Sequence, residues 1–344
     1  MTFRTTYYFI GIFIGLFVAC TPPEKPADTP LPTPTQNAVF IINEGNFGWG
    51  NASISYYDST QKTTTKDIFQ PANNRPIGDV LQDAKKIGNY LWTVVNNSGK
   101  IEIIDTKTFK SVYTISGLKS PRYLLPIHSK AYLSDFKDNA ISVLDLNEKK
   151  ITQKIYFPGW SEQMLLYQNI IWITAPHSKN IYLLDTLTNT IQDSILLNTG
   201  GTSIVMDKLN RIWVLCEGDI GGIENPILYV INPETKQIIQ KFVFGKSASS
   251  RPRCLATSND KSYIYFFNKH LYRLGIMDTT LPAQYLIQNT GGEWYSLNIQ
   301  PNTNNLFITN AMDYVQIGKL ETYSPEGNLI GSIPAGIVPN GVIF

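Results

Sequence analysis

The chain has 344 residues, of which 43% are apolar, 12% aromatic and 16% charged. That supplies a sizeable core and excludes a largely disordered polypeptide. A formal net charge of +2, with no Lys/Arg run longer than two residues, argues against a nucleic-acid partner held by phosphate neutralisation.

Residues 1–20 read as an export signal outside the fold. Arg4 precedes an apolar run from Tyr7 to Ala19, too short to span a bilayer and suited to a secretory leader. The run ends Leu16-Phe17-Val18-Ala19-Cys20, which resembles the bacterial lipobox with Phe17 where Leu is usual. The resemblance implies cleavage before Cys20, lipidation there and a membrane anchor; the alternative is an ordinary leader with an unrelated cysteine. Residues 21–37 carry six prolines among polar residues. Such a segment favours extended polyproline II at ~3.1 Å per residue, so a tether of roughly 50 Å is expected.

From residue 38 the chain is periodic. Asp105, Asp145 and Asp185 recur in three copies of one apolar unit, Lys100–Thr106, Ala140–Leu146 and Asn180–Thr186, in steps of 40 residues. Each segment alternates as a strand does and is followed by a turn and a second strand; another apolar strand stands before it, and a fourth about 11 residues earlier. Four short strands in about 40 to 47 residues is the content of a propeller blade. Residues 38–344 therefore predict an all-β, seven-bladed β-propeller with four-stranded antiparallel blades. Phe40, Trp92, Tyr132, Trp172, Trp213, Tyr265 and Phe307 fall at one place in the successive second strands, as aromatics packed between blades would. Ala38 already begins a second-strand pattern, so blade one lacks its innermost strand; the C-terminal Val338–Val342, which matches the openings of other first strands, is expected to supply it and close the ring.

In this architecture the loops between fourth and next first strands, and between second and third strands, surround one mouth of the central funnel. They are long at residues 43–51, 69–79, 217–226, 246–253 and 310–316, and rich in Gly, Asn and aromatics. The repeat also predicts two polar funnel rings. Gln82, Arg122, Glu162, Thr202 or Ser203, Arg253, Tyr295 and Asn340 form one; Glu44, Asn96, Asp135, Glu217, Asn268 and Asn310 form the other. Arg122 and Glu162 would be neighbours able to pair. Insertions confined to one face mark a grafted site, and the ligand-binding residues predicted there are Trp49, Arg75, Arg122, Trp160, Arg253, Trp294 and Tyr314. Aromatics would supply apolar contact and arginines would read carbonyl or phosphate oxygens.

Catalytic signals are thin. The three histidines, His128, His177 and His270, fall on different blades, and only His177 falls on a mouth loop; neither a metal site nor a His-assisted nucleophile is expected. An oxygen-bound Ca²⁺ using Asp219 and Glu224 is an alternative. Cys216 and Cys254 stand on adjacent blades, as a disulfide or as two buried thiols.

The stretch Phe40–Asp58, with its Asn-Glu-Gly-Asn-Phe-Gly-Trp-Gly-Asn core at 43–51, resembles the opening blade of YncE-like propeller lipoproteins, which include cobalamin-capturing surface proteins of the BtuG type. The resemblance extends over the whole chain in architecture. It implies a non-enzymatic outer-membrane lipoprotein at the cell surface that requires no cofactor, captures a cobalamin-like or other bulky amphipathic solute, and passes it to a TonB-dependent transporter. A protein-interaction scaffold on the same face is the alternative, and a propeller hydrolase or lactonase a more distant one.

Overall fold

The computed structural model describes residues 31–35, 38–218, 223–246 and 250–344. The leader with Cys20, most of the proline-rich segment and Asp219 lie outside them.

Each alternating segment forms a strand. Blade one contains β1 (Ala38–Asn43), β2 (Ser53–Asp58) and β3 (Thr63–Thr65), followed by a short helix α1 (Phe69–Asn73). Blade two is β4 (Leu81–Ile87), β5 (Tyr90–Val95), β6 (Lys100–Asp105) and β7 (Ser111–Ser116); blade three is β8 (Pro121–Ile127), β9 (Lys130–Asp135), β10 (Ala140–Asp145) and β11 (Lys150–Tyr156). Blade four is β12 (Met164–Tyr167), β13 (Ile170–Ile173), β14 (Asn180–Asp185) and β15 (Thr190–Leu196); blade five is β16 (Gly201–Met206), β17 (Ile212–Cys216), β18 (Ile227–Ile231) and β19 (Ile238–Val243). Blade six is β20 (Arg253–Thr257), β21 (Tyr263–Asn268) and β22 (His270–Gly275). Blade seven is β23 (Trp294–Ile299), β24 (Leu306–Asn310), β25 (Ile317–Tyr323) and β26 (Leu329–Ile337), and the chain ends in β27 (Pro339–Ile343).

Seven antiparallel sheets result, and β27 joins blade one beside β1, pairing Phe40 with Ile343 and Ile41 with Val342. The ring is a seven-bladed β-propeller closed by its C-terminus. Asn43 locks the closure: its carboxamide oxygen accepts the Gly336 N–H at 2.9 Å, and its nitrogen donates to Ser55 Oγ at 3.0 Å. Six sheets have four strands. In blade six the outer position is held by a single bridge, Leu271 to Ile287.

The seven second-strand aromatics are all buried. They pack across blade boundaries: Trp92 with Leu124 and Leu133 of blade three, Trp172 with Ile204 and Val214 of blade five, Trp213 with Ile264 and Phe266 of blade six. Each such side chain contributes roughly 1.5–3 kcal/mol by leaving water. The 40-residue aspartates end the third strands as turn caps. Asp105 Oδ1 accepts the N–H groups of Lys107 and Thr108 at 3.0 and 2.8 Å, Asp145 Oδ1 those of Asn147 and Glu148 at 2.8 Å each, and Asp185 repeats the motif.

Two expectations need correction. The 69–79 loop contains α1, whose Phe69 and Ala72 are buried in the blade-one core. The proline-rich segment is not tether throughout, because residues 31–35 dock on blade one: Leu31 packs against its core, Thr35 N–H donates to Tyr56 Oη at 2.7 Å, and Thr35 Oγ1 donates to Asp58 Oδ2 at 2.8 Å.

Candidate functional site

The innermost strands surround a central cavity of about 620 Å³. Adjacent first strands are too splayed to share a backbone ladder, so side chains bridge them: Asp83 Oδ2 accepts the Leu124 N–H at 2.9 Å, Gln163 Oε1 the Ile204 N–H at 3.2 Å, Ser203 Oγ the Leu255 N–H at 3.0 Å and Asn298 Oδ1 the Val342 N–H at 3.1 Å. This belt ties neighbouring first strands together. Above it, Gln82, Arg122, Glu162, Thr202, Ser203, Arg253, Tyr295 and Asn340 all line the cavity, as the repeat predicted, together with Glu44 and Glu217 of the second ring. A shallower recess of about 270 Å³ shares Glu44, Arg122, Trp160 and Tyr295 and extends to Asn96, Phe47 and Phe136.

Arg122 and Glu162 pair as expected. The Arg122 Nε donates to Glu162 Oε2 at 2.9 Å, one terminal nitrogen to Oε1 at 2.5 Å, and the other to Gln82 Oε1. Trp160 Nε1 also donates to Glu162 Oε2, at 2.5 Å, and the Arg122 guanidinium lies 5.8 Å from the Trp160 ring and 5.7 Å from that of Tyr123. Trp160 further stacks edge-on with Phe136 and His177. Arg253 pairs with Glu293 and donates to the Trp294 carbonyl at 2.6 Å.

The predicted site residues divide on this geometry. Arg122, Trp160 and Arg253 line the cavity. Tyr314, 42% exposed, stands at the mouth with its ring 5.9 Å from Tyr295, and its carbonyl accepts from Asn46 Nδ2 at 2.8 Å, tying the loops of blades one and seven together. Trp49 is 78% exposed but outside the cavity lining; its neighbour Phe47 lines the recess instead. Trp294 is a correction: it is 2% exposed, packed on Phe267, with Nε1 donating to Glu321 Oε2 at 3.0 Å. It opens β23, where alternation turns its side chain into the sheet interface and leaves Tyr295 for the funnel. Arg75 is a second correction. It lies over Phe69 and pairs with Glu102 Oε1 at 2.6 Å on the third strand of blade two, away from the cavity.

Charge is unevenly compensated around the wall. Burial raises the Glu44 carboxyl to about 7, although the Tyr295 hydroxyl, 3.1–3.2 Å from its oxygens, and Arg122 oppose the shift. Desolvation at the funnel wall likewise raises Glu217, against Thr202 and Arg253, although its side chain remains exposed to solvent at the mouth. For Arg122 burial opposes the charge, but Glu162 outweighs it and holds the guanidinium above its ordinary value. Desolvation raises the Tyr123 and Tyr295 phenols, and Glu162 and Glu44 respectively reinforce it. Cys216 and Cys254 are free thiols, the first pushed up to about 12 by burial. Among the described residues no group of three His, Cys, Asp or Glu side chains is placed to hold a metal. Of the alternative Ca²⁺ pair, Asp219 lies outside those residues and Glu224 has Lys179 at 3.9 Å.

The described fold and funnel are those of a seven-bladed propeller with a lined central cavity. The chain belongs to the family described as "Domain of unknown function (DUF5074)", which matches residues 37–338. No curated protein matches it. Among solved structures it is similar to a quinonprotein alcohol dehydrogenase-like protein from Bacteroides thetaiotaomicron, at 15% identity and TM-score 0.70 over 90% of this chain and 78% of that one. It is similar also to hydrazine synthase from Kuenenia stuttgartiensis, at 14% identity and TM-score 0.60 over 75% and 86%. A third is the dihydro-heme d1 dehydrogenase NirN in complex with DHE, at 10% identity and TM-score 0.61 over 94% and 78%. At these identities the likeness is one of fold.

Proposed function

We propose that the protein is a non-enzymatic capture protein that binds a bulky amphipathic solute in the funnel, a cobalamin-type solute being the first candidate. The observation that carries this reading is the convergence of one side chain per blade on a single open cavity, with Trp160, Tyr295 and Tyr314 giving aromatic surface beside polar groups. The cavity lies within the ~300–1,000 Å³ of ordinary small-molecule sites. A corrinoid exceeds it and would lie across the mouth with one edge inserted. On the same reading the chain is exported, anchored through a lipid on Cys20 at the outer membrane, and hands its cargo to a TonB-dependent transporter; the leader and lipobox pattern support this part.

A thermal-shift screen of the mature protein against bulky amphipathic solutes, corrinoids included, tests it. A ligand at 100 times its Kd stabilises the folded state by about 2.7 kcal/mol, an upward shift of a few degrees for a domain of this size. Turnover of a bound solute without added enzyme would contradict the non-enzymatic part, and no shift with any solute would contradict capture.

A further inference from the structure

The three cations that line the cavity are already committed: Lys85 to Asp83 at 2.9 Å, Arg122 to Glu162 at 2.5 Å, and Arg253 to Glu293. Two lining carboxyls remain outside these pairs, Glu44 on blade one and Glu217 on blade five, which stand on separate sectors of the ring. Among the described residues neither has a cation within ion-pair distance. Glu44 faces the Tyr295 hydroxyl, with Arg122 and Glu162 beyond; Glu217 faces Thr202, with Arg253 and Glu162 beyond.

We propose that the funnel selects a ligand bearing a cationic nitrogen, drawn in by the otherwise unpaired Glu44 and Glu217 carboxyls of its lining. An anion entering the cavity would meet both carboxylates and have to break an existing pair. A neutral solute would displace water from both carboxyls and offer them no counter-charge. A cation supplies the counter-charge that these carboxyls lack, and the wall already holds one cation beside its rings, the Arg122 guanidinium lying 5.8 Å from the Trp160 ring and 5.7 Å from that of Tyr123. Desolvation at the wall raises both carboxyls, although the Glu217 side chain stays exposed. This rests on the capture reading and narrows it: of two solutes equal in size, the one with a basic nitrogen is preferred.

The test uses the mature full-length protein and two probes, dansylcadaverine and its N-acetyl derivative, which differ in one positive charge. Fluorescence titration is expected to show the amine binding at least 10-fold tighter than the acetylated form. Glu44→Gln and Glu217→Gln should each weaken the amine by on the order of 10-fold, about 1.4 kcal/mol, and leave the acetylated probe unchanged. Equal affinity of the two probes, with both weakened by Trp160→Ala, overturns the charge selection and leaves funnel capture standing. No saturable binding of either probe overturns both.

Discussion

Glu44 carries a cost that the rest of the molecule tolerates. Its carboxyl is raised to about 7 in the folded protein by burial, from 4.5, so the native state binds more protons between those values. Stability therefore falls as pH rises from about 4.5 through about 7, and the penalty is fully present above that. Glu44→Gln, which keeps an acceptor for Tyr295, should raise stability at pH 8 by up to roughly 3 kcal/mol, at about 1.4 kcal/mol per pK unit, and have no such effect at pH 4. Chemical denaturation of both proteins at the two pH values checks this. Glu102 behaves oppositely. Burial works against its charge, but Arg75, Lys100 and Ser111 outweigh it and lower it to about 2, so its contribution is present above about 4.5 and lost as pH falls through about 2. Glu102→Gln should cost roughly 2 kcal/mol at pH 7, because Arg75 and Lys100 can turn partly to solvent; denaturant midpoints at pH 7 read this loss. At this scale the sequence was legible where position in the repeat decided orientation: Arg122, Glu162, Arg253 and Tyr295 fell on one ring. Trp294 and Arg75 were misread because an aromatic at a strand's first position and a loop arginine look alike in sequence whether they face water, a neighbouring sheet or a buried glutamate.

Strands and turns were legible from alternation and from the aspartate period, since a capped turn needs a side-chain acceptor at a fixed place. The short helix α1 was not. Its Phe69 and Ala72 are buried through contacts with Ile54 and Leu81 of neighbouring strands, a tertiary cause that no local pattern of five residues announces. The docking of residues 31–35 was hidden in the same way, behind a composition that favours extended chain. The closing strand carries the clearest element-scale prediction. Deleting 339–343 removes the ladder to β1 and exposes its edge along with Phe40 and Ile41, so it should destabilise the ring by several kcal/mol or abolish soluble folding. Removing 21–30 should leave the thermal midpoint unchanged. Equal midpoints for both deletions would contradict the closure.

At the scale of the whole molecule, seven blades form a closed ring around the lined cavity. Asn46 binding the Tyr314 carbonyl couples the loops of blades one and seven, and Phe47 beside them is 75% exposed. Attachment is the other whole-molecule expectation. Cys20→Ala should leave an unlipidated precursor that fails to sort to the membrane, scored by fractionation and mass spectrometry of the N-terminus; a mature protein starting elsewhere and recovered soluble would contradict it. The central claim is that the funnel, rather than any outer face of a blade, is the binding site. Equilibrium titration of cyanocobalamin against the wild type, Trp160→Ala, Tyr314→Ala and Arg75→Ala tests it most directly. Binding should weaken by about 2 kcal/mol, roughly 30-fold, on loss of a buried aromatic contact at Trp160, less at Tyr314, and not at all at Arg75. Absence of binding by folded wild type would remove the cobalamin candidate, and binding lost in Arg75→Ala but kept in Trp160→Ala would contradict the funnel as the site.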